Sequence, residues 1–447
     1  MTFRTKPSTC SSGADDIRRL SIDSLAFNGY GVGRLDGRVF FVPFTAPGDE
    51  IECRIVRERK NCFFAEITQI LKAAPQRREP PCPAFGTCGG CHWQHLPYTV
   101  QTYWKDNIFR DMVQRRTDVP DNVFEPLAAS PGEFYYRSRA QFKCRKTEQG
   151  LVMGFYRRGS HYVVDIEGCP LMAGKINAAF HCFRAWLQDS PFADRIPQID
   201  ISVDDNQKVR AVVHCLGGIE DDLAARLRPE AEKDDLSLFF QSGRNATLKK
   251  VCGSDNLHIF PCDSDKKMAL AYGPGSFSQV NLCQNRRLIK EVVDYAQLTG
   301  KEKVLDLFCG VGNISLPLAQ YASRVCGVEY YSPAVDQARN NAAENGVENA
   351  RFHAGCAEKG FVESEWKGDR FDVVVLDPPR EGAYNTVKGL LKLGPEKIIY
   401  VSCDPATLAR DLVPLLHHDY KVSRSRVLDF FPQTFHIESV TLLEKRR

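Results

Sequence analysis

No run of eighteen apolar residues occurs anywhere in this 447-residue sequence, and Met1–Asp16 carry no apolar stretch of the kind a secretory leader needs. A membrane-spanning helix takes about 20 apolar residues and a leader about 7–15. The expectation is therefore a cytoplasmic protein without membrane partners. Internal repeats and low-complexity tracts are also missing, which excludes solenoids and fibrous arrays. Net charge is scarce: Lys and Arg exceed Asp and Glu by only three. Global electrostatics therefore do not announce a nucleic-acid partner. Finally, the 17 cysteines form no compact disulfide framework, and a chain of this length needs none. Thiols this abundant fit a reducing compartment, where closely spaced ones bind metal or do chemistry.

What is present is local. Arg54–Arg78 holds seven Lys/Arg against two Glu, and Tyr135–Arg158 holds seven against one. The second stretch, with Phe134 just before it, interleaves Tyr135, Tyr136, Phe142, Phe155 and Tyr156 with its cations, a mixture that suits phosphate neutralisation with base stacking. A pair of strands with ordinary core aromatics would read the same way.

The length predicts several domains. Residues 15–73 read as a small all-β unit: short alternating runs (Arg38–Val42, Glu50–Ile55, Phe63–Ile67) separated by Asp36-Gly37 and Pro47-Gly48-Asp49 turns. A five-stranded barrel of this size commonly binds oligonucleotides. Residues 74–275 form a central α+β region, entered through Pro75, Pro80, Pro81 and Pro83. From 276 to 447, continuous apolar strands at Lys303–Leu307, Val325–Val328, Phe371–Leu376 and Lys397–Val401 alternate with helical stretches. Buried parallel strands read this way, so the carboxyl-terminal domain is expected to be Rossmann-like and the whole chain multidomain α/β.

Three turns at the ends of those strands carry chemistry. Asp306-Leu307-Phe308-Cys309-Gly310-Val311-Gly312-Asn313 brings glycines to a strand–helix switch, where Gly310 lets the backbone approach a ligand. Glu329 lies 23 residues beyond Asp306 and ends the next strand, where a carboxylate can accept from ribose hydroxyls. An acid at 306 suits a cationic sulfonium cofactor better than a diphosphate. Asp377-Pro378-Pro379-Arg380 makes a rigid turn at the same edge. Cys403 follows another strand, with Asp404 as helix cap and Pro405 as first helical residue; the helix dipole is expected to acidify its thiol. Glu438 stands in an otherwise apolar strand, where desolvation would raise its pKa into a useful range for a general base. His436 is the other candidate.

Cys82, Cys88 and Cys91 give a C-x5-C-x2-C cluster, with Cys169 as the best fourth ligand and His92 or His95 as alternatives. Spacing alone admits structural zinc or an iron–sulfur cluster.

Taken together, SCDPATLARD, DPPR, DLFCGVGN, Phe277-Ser278-Gln279-Val280-Asn281 and FPQTFHIE resemble the uracil-5-methyltransferases of RNA, across essentially the whole chain. The barrel resembles a TRAM domain, and with the cysteine cluster it points to the branch that modifies 23S ribosomal RNA. The resemblance implies Cys403 as nucleophile on the uracil ring and Glu438 as proton acceptor. It implies contacts to S-adenosylmethionine or base from Gln279, Phe308, Asn313, Glu329 and Asp377. It further implies a [4Fe-4S] cluster on Cys82, Cys88, Cys91 and Cys169, and packing of segment 92–124 with the catalytic domain. The partner implied is 23S ribosomal RNA offering a loop or single-stranded uridine, with no obligate protein partner. Asp404 departs from the family's usual Asn, and Cys356 stands where an acid or amide usually meets the adenine. Two other readings are the same chemistry on transfer RNA or another ribosomal uridine, and a non-catalytic RNA-binding assembly factor. Intact Cys403, Glu438 and Asp377 weigh against the last.

Overall fold

The computed structural model describes residues 17–243, 247–262, 268–357 and 370–446. The amino-terminal stretch read above for a leader lies outside them, as do the first two residues of the expected barrel. The chain divides into two compact units. One comprises the residues up to Ile108 together with Gln433–Phe435; the other comprises Phe109–Pro432 and His436 onward. Among the described residues no helix is long and apolar enough to cross a membrane.

In the first unit, β1 (Ile17–Leu25), β2 (Tyr30–Leu35), β3 (Arg38–Pro43), β4 (Glu50–Arg59) and β5 (Cys62–Lys72) close a barrel in the order β1-β2-β3-β5-β4. Alternate residues point inward, as the two-residue period of a strand requires. Leu20, Ile22, Phe40, Val42, Ile51, Cys53, Phe63 and Ala65 fill the interior. Asp36 and Gly37 both have positive φ (50° and 74°), the geometry of the tight turn that joins two twisted strands. Closure needs β3 and β5 to pair in parallel, Val39 opposite Cys62. The Asp49 carboxylate locks the barrel's exit: it accepts from the backbone N–H of Ala46 (2.6 Å) and Ala74 (2.9 Å) and from Arg77 Nε (2.9 Å). Burial disfavours its charge, but Arg77 and these amides outweigh that and hold its pKa low. On the barrel wall Arg57 lies 4.1 Å over the Phe64 ring. The rest of this unit contains the cysteine segment and the start of α1 (Tyr98–Gln114). Gln101 and Gln433 exchange amide bonds there, at 2.8 and 2.9 Å.

The second unit carries two seven-stranded sheets. The first uses β6 (Arg139–Thr147), β7 (Gly150–Tyr156), β8 (Val163–Asp165), α2 (Gly174–Gln188), β9 (Gln198–Val203), β10 (Val209–His214), α3 (Glu220–Lys233), β11 (Leu236–Gln241) and β12 (Leu248–Cys252). Its order is β12-β11-β10-β9-β6-β7-β8. A short hairpin, β13 (Leu257–Ile259) and β14 (Leu270–Tyr272), leads to α4 (Leu282–Ala296). The second sheet uses β15 (Lys303–Leu307), α5 (Ser315–Ala319), β16 (Arg324–Glu329), α6 (Ser332–Glu344), β17 (Ala350–Ala354), β18 (Val373–Leu376), α7 (Tyr384–Leu393), β19 (Lys397–Ser402), α8 (Pro405–Leu416), β20 (Tyr420–Leu428) and β21 (Glu438–Lys445).

That sheet runs β17-β16-β15-β18-β19-β21-β20. The first five strands are mutually parallel, and β21 enters antiparallel between β19 and β20. Val373–Leu376 is buried throughout, which is why the sequence there shows no alternation. Asn341 on α6 ties the hairpin to this sheet: its side chain accepts from Ala271 N (2.9 Å) and donates to Ala271 O (3.0 Å) and Val311 O (3.0 Å). Asn341→Leu leaves three desolvated backbone groups unpaired, at about 1–3 kcal/mol each. We expect a fall in stability of at least about 3 kcal/mol, read by chemical denaturation. A midpoint equal to wild type would show that the amide contributes nothing.

Candidate active site

All the expected reactive residues lie in the second unit, along the carboxyl edge of its catalytic sheet, where open α/β sheets bind ligands. In strand order the edge presents Cys356 beyond β17, Glu329 at the end of β16, Phe308 beyond β15, Asp377 beyond β18 and Cys403 beyond β19. Glu438 opens β21. Register sets the last pair: Ser402 sits opposite Ser439, so the next residue outward on one strand is Cys403 and on the other Glu438. Glu438 therefore begins its strand, where the sequence suggested that it interrupts one.

Each turn is held by its own bonds. Phe308 takes a left-handed backbone (φ 66°), and its N–H and that of Cys309 both donate to Val328 O (2.9 and 3.1 Å). Gly310 also has positive φ (55°), and a Cβ there would meet no atom within 4 Å, so its face is open. The Glu329 carboxylate accepts from Gly310 N (3.2 Å) and Tyr331 N (2.8 Å), joining two turns while keeping lone pairs for a ligand. Asn313 exchanges side-chain amide bonds with Asn285 on α4 (2.9 Å each). Gln279 is buried in the segment before α4, whose cap is Asn281. Asp404 caps α8 as expected, accepting from Ala406 N (2.8 Å) and Thr407 N (3.1 Å), with Pro405 first in the helix. His436 rests edge-on against Phe431, with ring centres 5.6 Å apart.

A residue that sequence reasoning passed over organises the Asp377 turn. Asp411, fully buried on α8, accepts from Ala383 N (2.6 Å), Tyr400 Oη (2.7 Å) and Arg410 Nε (2.7 Å), while Arg410 reaches Glu381 O (2.7 Å). The loop passes so close that a Cβ on Gly382 would lie 2.6 Å from that carboxylate. Asp411 lies seven residues after Asp404, two helical turns on, and that shared helix face was the available signal. Arg380 was also passed over, although it stood in a quoted motif.

Electrostatics correct one expectation. The Cys403 thiol is not acidified: burial, then the neighbouring Glu438 and Asp377 carboxylates, push its pKa up to about 12, against which Arg380 pulls down. A helix dipole worth about 1 kcal/mol loses to desolvation and like charge. Glu438 behaves as expected, raised well above the ordinary carboxylate value by burial and then by Asp377. Burial pushes Asp377 up to about 7. Asp306 also rises to about 7, through burial and then through Asp377 and Glu329, despite the hydroxyl bond from Ser315. Among the described residues, one Asp306 oxygen is buried with no hydrogen-bond partner. Glu329, Asp306, Asp377, Glu438 and Cys403 thus form one run of mutually repelling groups.

Such an edge fits a cationic sulfonium cofactor: it offers open glycine backbone, a carboxylate with lone pairs to spare and acids that gain from a nearby positive charge. The cysteine cluster is a different case. Cys82 and Cys88 are close enough that burial and then the Cys82 charge raise the Cys88 thiol. Yet among the described residues no three His, Cys, Asp or Glu side chains are gathered to hold a metal ion. Cys82, Cys88 and Cys91 belong to the first unit and Cys169 to the second.

Residues 104–446 match the tRNA (Uracil-5-)-methyltransferase family, and residues 18–76 match a tRNA (uracil(54)-C(5))-methyltransferase TRAM domain. The chain belongs to this family of RNA uracil-5-methyltransferases, with an amino-terminal TRAM barrel. Among its relatives is the 23S rRNA (uracil(1939)-C(5))-methyltransferase RlmD of Shewanella amazonensis, 34% identical over 99% of this chain and 98% of that protein. RlmD of Alkalilimnicola ehrlichii is 32% identical over 95% of this chain and 96% of that one. The structure of Pyrococcus abyssi tRNA (uracil-54, C5)-methyltransferase with S-adenosyl-L-homocysteine superposes with a TM-score of 0.73 at 26% identity, covering 95% of this chain and 100% of that one.

The raised acids predict a pH dependence. A carboxyl whose folded pKa exceeds its unfolded value destabilises the fold as pH rises toward 7, and a cation that favours its ionised form recovers that loss. Affinity for S-adenosylmethionine should therefore fall by up to about tenfold per pH unit below about 7 for each of these acids that ionises on binding, with one proton released for each. Calorimetry in buffers of different ionisation heat measures both. Asp306→Asn should flatten the profile, and a flat profile in the wild type would refute the coupling.

Proposed function

We propose that this chain methylates carbon 5 of a uridine in 23S ribosomal RNA in the cytoplasm, the uridine that its relatives' names place at position 1939. The observation that carries the chemistry is the register that sets Cys403 beside Glu438, with Asp377 and Arg380 acting on both. Near full-length similarity to RlmD proteins supports the ribosomal substrate. So does the joint presence of barrel and cysteine cluster.

The uridine must leave its stack to reach Cys403, which favours a loop position. Uracil C5 is too weak a nucleophile to take a methyl group unaided. The Cys403 thiol gives up its proton to solvent, a loss that Arg380 favours, and the thiolate adds to C6, the displaced electron pair making C5 nucleophilic. Bound S-adenosylmethionine supplies the electrophilic methyl group that C5 takes. Glu438 then removes the proton left on C5, the C5–C6 double bond re-forms and Cys403 leaves as thiolate. Arg380, which favours the ionised forms of both Cys403 and Glu438, lowers the cost of those charged states. Gln279, Phe308, Gly310, Asn313, Glu329 and Asp377 are assigned to the cofactor, with the Asp377 turn set against the target base as well. Cys356 stands at the adenine end, where its thiol is a weak hydrogen-bonding group.

Cys403→Ser should abolish methylation and also the covalent adduct with 5-fluorouridine RNA. Glu438→Gln should lower turnover about 10²–10⁴-fold and let a thiol–RNA adduct accumulate. Mass spectrometry reads the adducts, and mapping 5-methyluridine in RNA from a deletion strain with and without the gene reads the target. An adduct on another side chain would sink the mechanism; restored methylation elsewhere would sink the substrate.

We also propose that Cys82, Cys88, Cys91 and Cys169 hold a [4Fe-4S] cluster, with a structural rather than catalytic role. The all-thiol donor set and the Cys82–Cys88 pairing support it. Protein prepared without oxygen should contain about four iron and four sulfide per chain, with Cys88→Ser losing both. Stoichiometric zinc in their place would overturn this assignment.

A further inference from the structure

Strands β6, β9 and β10 sort their residues strictly by face. Ala140, Phe142, Ile199, Ile201, Ala211 and Val213 are buried and apolar. Apart from Val212, the residues between them are polar, and Arg139, Gln198, Asp200, Arg210 and His214, with Val212, Tyr272 and Ser276, line a cavity of about 160 Å³. A polar sheet face is ordinary; Arg210 within it is not.

Arg210 is only 4% exposed, yet among the described residues it has no carboxylate partner. Its guanidinium donates to Tyr272 O (3.0 Å) and lies 5.0 Å from the Tyr272 ring centre. The nearby Asp204 is occupied: its two oxygens accept from Lys208 N (2.8 Å) and His258 N (2.9 Å). The cavity's own acid, Asp200, is also engaged, by Gln198 (2.6 Å), Gln141 (3.2 Å), His214 (3.5 Å) and, more loosely, Arg139 (3.8 Å). Desolvation, assisted by repulsion from Arg139, lowers the Arg210 pKa to about 10. Two guanidiniums therefore face one committed carboxylate. A buried unpaired charge is costly enough that such a site calls for a second anion.

Size and position narrow the ligand. The cavity is smaller than the roughly 300–1,000 Å³ of small-molecule pockets, which suits one anionic group rather than a nucleoside. Its rim includes Ser276, three residues before Gln279, and Arg139 donates to Ser276 O (3.4 Å). Beside Arg139, the Ser138 N–H donates to Val280 O (2.7 Å), so one strand end serves both the cavity and the Gln279 segment.

We propose that this cavity binds one phosphodiester of the RNA strand that delivers the target uridine, with Arg210 and Arg139 as its guanidinium donors. The proposal rests on the RNA-methylating reading above. It also gives a role to the basic, aromatic-rich stretch around β6: Phe142 is core, whereas Arg139 faces the ligand.

The test uses the full chain and a labelled RNA loop containing the uridine, with affinity measured by anisotropy over a range of salt. Arg210→Met and Arg139→Gln should each weaken binding about five- to tenfold. Together the two changes should flatten the slope of log affinity against log salt by about 0.7, one phosphate on single-stranded RNA, with each alone giving part of that change. Arg210→Met should keep or raise the thermal midpoint without RNA, because it removes an unpaired buried charge. A methylphosphonate at the contacted position should weaken the wild type and leave Arg210→Met unaffected. Unchanged salt slopes in both folded variants would overturn the proposal. So would stabilisation by inorganic phosphate with RNA slopes unchanged, which would make this a free-phosphate site. Wild-type chain that binds the RNA without transferring methyl would count against the enzymatic reading and leave the cavity assignment standing.

Discussion

The chemistry depends on one strand pairing. β21 enters the sheet antiparallel beside β19, and Ser402 opposite Ser439 leaves a thiol and a carboxylate at the same end of adjacent strands. Side chains on a strand alternate with period two, so a slip of one residue would turn Glu438 to the other face and separate the pair. Nothing local enforces this register. It is fixed by the core on both faces, where Ile398, Ile399, Val401, Val440, Leu442 and Leu443 are all buried. Cys403 and Glu438 are thus aimed by apolar packing, and the pair is only as well placed as the sheet beneath it is well packed.

The same packing sets the electrostatics. Burial raises Asp306, Asp377, Glu438 and Cys403 alike, so each favours its protonated form more than it would in water. Ionisation becomes favourable when opposite charge arrives. A thiol at about 12 is nearly inert toward adventitious electrophiles and oxidants, which matters for a cysteine at the open edge of a sheet. Arg380, next to both reacting groups yet exposed itself, is the resident cation that limits how far the site is biased toward the protonated state.

Much of this was legible in the sequence because it is local. The continuous apolar runs marked the parallel strands, since strands covered on both faces lose their alternation. The Asp36-Gly37 turn and the Asp404-Pro405 helix start have side-chain mechanisms that depend on no distant residue. Distance defeated the rest. The parallel closure of β3 on β5 joins segments that only the folded barrel brings together. The first seven-stranded sheet was hidden because β6 reads Arg-Ala-Gln-Phe-Lys-Cys-Arg-Lys-Thr, with charges on the face away from its helices. The thiol's pKa went the wrong way because the helix dipole can be read from three residues. The opposing carboxylates come from two other strands.

Asp411 illustrates what such a reading misses in kind. The Asp377 turn contains two prolines and looks self-sufficient as a rigid element. Rigidity within a turn does not fix where the turn points. That direction comes from a buried carboxylate on the helix that Cys403 precedes, bonded at once to the loop's Ala383, to Tyr400 on β19 and to Arg410. Cys403 and the Asp377 turn are consequently both tied to one helix. Such coupling suits a reaction in which a single ring must meet a thiol at C6 and be held by its neighbours at the same time.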